Sequence, residues 1–125
     1  MNRDRFGDNR YGRLNTNLSI ENWNYEKMNV LVKGSKVPVV TELWMPGCVP
    51  CVAVSAKLEE LAKEYEGEAV FGKIRADEYK GPCEIGSVPV TIITTNGAIF
   101  SSYNGIFSVD KFIDDLNRAI EEMEQ

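Results

Sequence analysis

The chain of 125 residues contains no histidine and only three cysteines. Without histidine, neither a mixed cysteine–histidine zinc site nor a cysteine–histidine nucleophile can form. Three cysteines are too few for a four-cysteine zinc site in one chain and too few for a disulfide scaffold. These absences exclude most of the functions that closely spaced cysteines serve and leave redox chemistry as the main one.

Positive charge and long apolar runs are also scarce. Lysine and arginine number 14 against 19 aspartates and glutamates, and this net charge of −5 argues against a nucleic-acid-binding surface. No apolar stretch approaches the ~20 residues that span a bilayer, and the start of the chain has no apolar signal core. We therefore expect a cytoplasmic monomer that binds neither nucleic acid nor membrane.

The remaining composition is ordinary for one soluble domain, with 43% hydrophobic and 26% charged residues. Residues 1–17 are rich in Asn, Arg, Asp and Gly and show no apolar periodicity, which predicts a flexible tail. We expect residues 18–125 to form the folded domain.

Apolar periodicity within that domain predicts alternating strands and helices. The predicted elements are an edge strand at 18–20, a helix at 21–33, a strand at 37–45, a helix at 48–66, a strand at 69–76, a broken loop at 77–86, a hairpin of strands 90–94 and 98–103, and a last helix capped by Ser108. The order β-α-β-α-β, then a hairpin and a helix, predicts an α/β fold with a mixed sheet and helices on both faces.

Two of the cysteines stand in Cys48-Val49-Pro50-Cys51, at the turn from the strand into the second helix. Cys48 would lie beside the unpaired N–H groups that open the helix, which favour a thiolate there and predict the attacking nucleophile. Cys51, one turn on, is placed to resolve a mixed disulfide and should be the more buried sulfur. The alternative is an inert cysteine pair with accidental spacing.

At these residues the chain resembles the thioredoxin family, over about residues 18–125. The matching features are Trp44 before the cysteine motif, the acid Glu42 six residues before Cys48, Lys73 and Asp77 on or after the next strand, Val88-Pro89 before the hairpin, and Gly105 after it. The resemblance implies a thioredoxin fold, in which Pro89 follows a cis peptide bond.

The resemblance also implies roles beneath the cysteines. Glu42 would be a buried general acid and base for Cys51, with its pKa raised by burial, and Lys73 would tune that carboxyl. The competing interpretations are a solvent-facing Glu42 and a plain surface lysine at Lys73.

On the substrate side, the resemblance implies that Trp44, Val88, Pro89 and Gly105 line the binding surface. Pro89 would pack beside Cys48, and the backbone of Val88 would pair with an extended substrate segment. Trp44 could equally be a core aromatic, and Pro89 could be a trans proline that opens a strand.

The chain departs from the family pattern around the cysteines. Val49 stands where the family has glycine, Gly47 replaces a tryptophan, and Ala56 replaces a helix-kinking proline. A third cysteine, Cys83, lies six residues before Pro89 and is either a regulatory thiol or inert.

The predicted function is thiol–disulfide oxidoreductase, acting as a protein disulfide reductase through the redox-active pair Cys48 and Cys51. It needs no metal and no bound cofactor, and its partners would be protein disulfide substrates and an electron donor of thioredoxin-reductase type. The alternatives are a disulfide oxidase or isomerase, and a redox-sensing binding module with little turnover.

Overall fold

The computed structural model describes residues 20–81 and 86–125, so the predicted tail at 1–17 and Cys83 lie outside the described residues. Its elements are β1 (Glu21–Asn22), α1 (Tyr25–Gly34), β2 (Val39–Trp44), α2 (Val49–Glu64), β3 (Val70–Arg75), a 3-10 helix (Ala76–Glu78), β4 (Val90–Thr95), β5 (Ala98–Asn104) and α3 (Val109–Met123). Within the described ranges, no helix combines the length and apolarity that a membrane crossing requires.

The five strands form one mixed sheet in the order β1-β3-β2-β4-β5. Strands β1 and β2 run parallel to β3, while β4 runs antiparallel to both β2 and β5. Helix α2 is the crossover between the parallel strands β2 and β3. The predicted α/β architecture is therefore confirmed, and β2 lies at the centre of the sheet.

Helices cover both faces of this sheet, as predicted. One face carries α1, whose Met28 and Val32 pack with Trp23 and the inward side chains of β2, β3 and β4. The other face carries α2 and α3, whose apolar side chains pack on Val40 and neighbouring strand residues. Because side chains alternate along a strand, Val40 and the residue two further on, Glu42, face α2 and α3.

The edge strand lies inside the segment predicted to begin the first helix. At Ile20, the described residue of the predicted strand 18–20, the chain bends, and β1 begins at Glu21. Its two residues pair in parallel with β3, and the Trp23 N–H donates to the Lys73 carbonyl oxygen over 2.7 Å. Pairing with β3 thus satisfies backbone N–H and C=O groups of residues that the sequence predicts in the first turn of the helix at 21–33.

Helix α1 consequently begins four residues later than the predicted start at Glu21. Asn24 is its N-cap, and the Asn24 side chain accepts a hydrogen bond from the Lys27 N–H at 2.8 Å. Asparagine is among the preferred N-cap residues because its side-chain oxygen satisfies an otherwise unpaired N–H of the first turn. The helix therefore begins just after the pairing of β1 with β3 has ended, with its N-cap two residues after Asn22.

The core-facing side of α2 also differs from the prediction at one position. The apolar spacing within 48–66 predicts that Val52 faces the core together with Leu58 and Leu61. In the structure Val52 is 69% exposed, and Val54 is buried with Leu58 and Leu61 instead. Positions 54, 58 and 61 repeat at the spacing of one helical face, and position 52 falls outside it. This phase also places Cys51 and Ser55 on the inward side.

Candidate redox site

The cysteine pair lies where β2 turns into α2. Gly47 closes this turn with a φ of 82°, in the left-handed region that favours glycine, and the Cys48 N–H donates to the Met45 carbonyl oxygen at 3.3 Å. Cys48 is the N-cap of α2, and its sulfur accepts a hydrogen bond from the Cys51 N–H at 3.1 Å. The sequence's glycine and its capping cysteine therefore place Cys48 Sγ at the positive end of the helix.

Cys48 and Cys51 are joined by a disulfide bond, and their Cα atoms are 5.3 Å apart. Cys51 is only 3% exposed, whereas Cys48 is half-buried. Pro50 sits in the first turn of α2, where its missing N–H leaves no helical hydrogen bond unmade. As predicted, Cys51 is the more buried of the two cysteines, and Cys48 is the more accessible one.

Glu42 lies in the middle of β2 and is fully buried, which excludes the solvent-facing alternative. Its cross-strand neighbours are Lys73 on β3 and Thr91 on β4. The Ser55 hydroxyl on α2 donates a 2.5 Å hydrogen bond to Glu42 Oε1. The other carboxyl oxygen, Oε2, is buried and has no hydrogen-bond partner among the described residues.

Burial raises the pKa of Glu42 above its usual value of 4.5, because a carboxylate loses its hydration inside the protein. The hydrogen bond from Ser55 and the positive charge of Lys73 each oppose this effect, but the net pKa shift is upward. A carboxyl whose pKa is raised toward the working pH can both take up and release a proton. The role of Glu42 as a general acid and base stays a prediction, and its burial and raised pKa agree with it.

Lys73, the cross-strand neighbour of Glu42, also contacts Trp44. Lys73 Nζ is 5.3 Å from the centroid of the Trp44 ring, within the range of a cation–π contact. Trp44 ends β2 half-buried, and its Nε1 is buried without a hydrogen-bond partner among the described residues. The positive charge of Lys73 acts on the Glu42 carboxyl, which agrees with the predicted tuning role of Lys73.

Two segments that contain predicted substrate-binding residues, one at Val88 and Pro89 and one at Gly105, lie next to each other. The Val88–Pro89 peptide bond is cis, as predicted, which rules out the trans alternative. The Gly105 N–H donates to the Pro89 carbonyl oxygen at 2.8 Å, and Gly105 has a φ of 72°. Val88 is half-buried and lies two residues before the start of β4 at Val90. Three of the four residues predicted on the substrate side, Val88, Pro89 and Gly105, therefore lie close together.

Comparison with known protein families shows to which family the chain belongs. The family model described as Thioredoxin matches residues 18–118. The chain belongs to the thioredoxin family. A family of this kind, together with a cysteine pair joined as a disulfide, supports thiol–disulfide exchange as the chemistry of the site.

Individual thioredoxins resemble the chain at moderate identity. A chloroplastic M-type thioredoxin of Spinacia oleracea is 29% identical over 104 residues, which are 81% of this chain and 58% of that protein. A thioredoxin of Haemophilus influenzae is 27% identical over 93 residues, covering 72% of this chain and 87% of the relative. A chloroplastic M-type thioredoxin of Pisum sativum is 37% identical over 70 residues, which are 54% of this chain and 41% of that protein. The chain thus spans little more than half of the spinach protein.

One member of this thioredoxin site was missed by the sequence reasoning. The Ser55 hydroxyl donates a hydrogen bond to Glu42, yet Ser55 belongs to no motif recognised in the sequence. The available signal was its spacing, four residues after Cys51 and one after Val54, which puts a hydroxyl on the buried side of α2. A polar residue on an inward helical face, opposite a strand that carries a buried acid, is a candidate partner for that acid.

Two departures from the thioredoxin pattern, Val49 and Gly47, lie on the accessible side of the site. Val49, between the cysteines, is 77% exposed, so its side chain presents an apolar surface next to Cys48. Gly47 precedes the cysteine with a backbone conformation that a tryptophan would rarely adopt. These two positions change the surface around Cys48 and leave the buried Glu42 and Cys51 in place.

Proposed function

We propose that the chain is a thiol–disulfide oxidoreductase that reduces protein disulfides through Cys48 and Cys51. The observation that carries the proposal is the Cys48–Cys51 disulfide at the first turn of α2, in which the more accessible cysteine, Cys48, is the helix N-cap. Partial positive charge there stabilises a Cys48 thiolate once the disulfide is reduced. Its substrates are protein disulfides, and its electron donor is of thioredoxin-reductase type.

The proposed cycle starts from the dithiol. The Cys48 thiolate attacks one sulfur of a substrate disulfide, forming a mixed disulfide and releasing one substrate thiolate. Cys51 then passes its proton to Glu42, and the Cys51 thiolate attacks Cys48 Sγ. The second substrate thiolate leaves and takes up a proton, so that two electrons have passed to the substrate. The donor then returns two electrons to the Cys48–Cys51 disulfide, and no bound cofactor takes part.

The substrate segment is proposed to lie beside Pro89. In this arrangement the backbone of Val88 pairs with an extended stretch of the substrate, and Trp44 and Gly105 flank it. The hydrogen bond from Gly105 to Pro89 supports this by holding the two loops together. A cytoplasmic location and a monomeric state remain predictions that accompany the proposal.

A Cys51→Ser variant tests the nucleophile. We expect it to accumulate a covalent adduct with a protein disulfide substrate, because Cys48 can still attack and nothing can resolve the product. The adduct would be seen as a reducible mass increase on a non-reducing gel and in intact mass spectra. A Cys83→Ser change in the same background is the matched control and should leave the adduct yield unchanged. If Cys51→Ser traps nothing, Cys48 is not the nucleophile.

The reduction potential of Cys48–Cys51 tests the direction of exchange. Equilibration with glutathione at known ratios gives this potential, and a reductase requires a value at or below the glutathione poise. A potential well above that poise would contradict the reductase proposal and favour an oxidase or isomerase. Reduction of insulin by the wild type with a dithiol donor separates turnover from mere partner binding.

A further inference from the structure

The two oxygens of the buried Glu42 carboxyl have different surroundings. Oε1 accepts the Ser55 hydroxyl hydrogen bond, whereas Oε2 has no hydrogen-bond partner among the described residues. Ser55 stands four residues after Cys51 on α2, so the two side chains lie one turn apart on the same helical face. The helix that carries the resolving cysteine thus also carries the group that holds the acid.

We propose that Ser55 is a positioning residue, whose hydroxyl fixes Oε1 of Glu42 and leaves Oε2 as the oxygen that exchanges a proton with Cys51. The inference rests on the proposed function, since it concerns the resolving step of that cycle. In this step the proton moves from Cys51 Sγ to Oε2. The S–S bond then forms between Cys51 and Cys48, and the bond from Cys48 to the substrate sulfur breaks.

The need for such a residue follows from the glutamate side chain. A free glutamate side chain occupies several rotamers, and proton transfer requires the acceptor within hydrogen-bond reach of the donor. One short hydrogen bond from a rigid helix removes much of this freedom. It also stabilises the ionised carboxyl, the form that accepts the Cys51 proton, against the effect of burial.

Other groups around Glu42 do not duplicate this contact. On β3, Lys73 supplies a positive charge that acts on the Glu42 carboxyl, and its Nζ lies over the Trp44 ring. On β4, Thr91 is the cross-strand neighbour, and its hydroxyl has no hydrogen-bond partner among the described residues. From α2, the titratable group is Cys51. Ser55 is therefore the side chain whose loss changes the position of the carboxyl.

The test uses the full chain in its reduced form and an aromatic disulfide that releases a coloured thiolate. The first coloured thiolate is released when Cys48 attacks, and the second when Cys51 resolves the mixed disulfide, so the two steps are seen separately in one stopped-flow trace. The variants compared are Ser55→Thr and Ser55→Val, which have the same shape and differ in the hydroxyl. Ser102→Ala, on an exposed position of β5, is the control for a serine change elsewhere.

We expect Ser55→Val to slow the second release by about tenfold, a small part of what acid–base catalysis contributes, while the first release keeps the wild-type rate. The pH midpoint of the second release should move to higher pH, because without the hydrogen bond Glu42 stays protonated to higher pH. Ser55→Thr should restore both the rate and the midpoint toward wild type, and Ser102→Ala should match wild type throughout. A purely structural serine would not move the midpoint.

Two other outcomes are distinguishable. Equal second-phase rates and midpoints for Ser55→Val and Ser55→Thr would overturn the role of Ser55 and leave the reductase proposal intact. Failure of the wild type to release the second thiolate would instead overturn the proposed function. If urea unfolding shows that Ser55→Val does not fold, Ser55→Ala takes its place in the same comparison with Ser55→Thr, and the same criteria apply.

Discussion

At the scale of single residues, Glu42 and Asp115 are the buried carboxylates of the described chain, and their partners differ. Asp115 on α3 accepts a 2.5 Å hydrogen bond from the Tyr103 hydroxyl and is also contacted by Lys111 and Arg118. The Tyr103 hydrogen bond first, and then these cations, lower the pKa of Asp115 despite its burial. Glu42 has one hydroxyl partner, and its pKa is raised. Asp115 therefore remains ionised and structural, while Glu42 is suited to proton transfer.

Replacing Tyr103 with phenylalanine tests the structural role of this contact. We expect Tyr103→Phe to lower the free energy of unfolding by about 1.5–3 kcal/mol, since a hydrogen bond to a charged, buried oxygen is lost. The ring would keep its contacts with Phe107 and Phe112. Urea unfolding measures the change. Tyr25→Phe is the matched control, because Tyr25 packs edge-on against Tyr79 through its ring, and it should change stability by much less.

At the scale of elements, the short strand β1 and the residue after it, Trp23, hold the first described residues against the sheet. Trp23 is buried and lies against β3 at Gly72, where a Cβ atom would overlap its ring. The Trp23 N–H is bonded to the Lys73 carbonyl oxygen in the same region. Because helical periodicity in 21–33 is a local pattern, it could not indicate that these first residues pair with a strand about fifty positions away.

A glycine-to-alanine pair tests this packing. Gly72→Ala should destabilise the protein by about 1–3 kcal/mol, because the added methyl group forces the Trp23 ring or β3 to move. Gly34→Ala is the matched control. Gly34 ends α1 with no heavy atom within 4 Å of an added Cβ. Alanine there should be neutral or stabilising by up to ~1 kcal/mol. Similar losses in both variants, measured by urea unfolding, would show that the contact between Trp23 and β3 is not tight.

At the scale of the whole molecule, the two buried carboxyls give stability opposite dependences on pH. Asp115 has a lowered pKa, so its contribution is present above its unfolded pKa and is lost as pH falls through its folded pKa. Glu42 has a raised pKa, so between its unfolded and folded pKa values the native state binds more protons than the unfolded chain. Its contribution therefore makes the protein less stable as pH rises through that window.

Glu42→Gln separates the two contributions. We expect the variant to be more stable than wild type at neutral pH, with each unit of the Glu42 pKa shift worth ~1.4 kcal/mol, and the difference to vanish at low pH. Glutamine can still accept the Ser55 hydrogen bond without being charged. Urea unfolding of the oxidised protein from about pH 4 to about pH 8 measures this. Glu26→Gln, at an exposed position of α1, should keep the wild-type slope. A wild-type slope in Glu42→Gln would mean that Glu42 is not the titrating group.

Much of the fold and the cysteine site followed from the sequence alone, because their signals are local. The order of strands and helices follows from apolar periodicity and caps, and Asn96-Gly97 marks the hairpin, where both residues have positive φ. The Cys48 to Cys51 spacing, with no histidine in the chain, identified the chemistry. The cis Val88–Pro89 bond came from the resemblance to thioredoxins.

Only the tertiary structure decided which side chains meet across elements. The hydrogen bond of Ser55 with Glu42, the hydrogen bond of Tyr103 with Asp115 and the pairing of β1 with β3 each join residues on different elements. These contacts depend on the rotation of a helix about its axis and on strand register. Apolar periodicity reflects only neighbouring residues in the sequence, so it does not specify which side chains of two elements meet. For that reason, the cysteine motif identified the chemistry, whereas the hydrogen bonding of its proton acceptor appeared only once α2 was packed on β2.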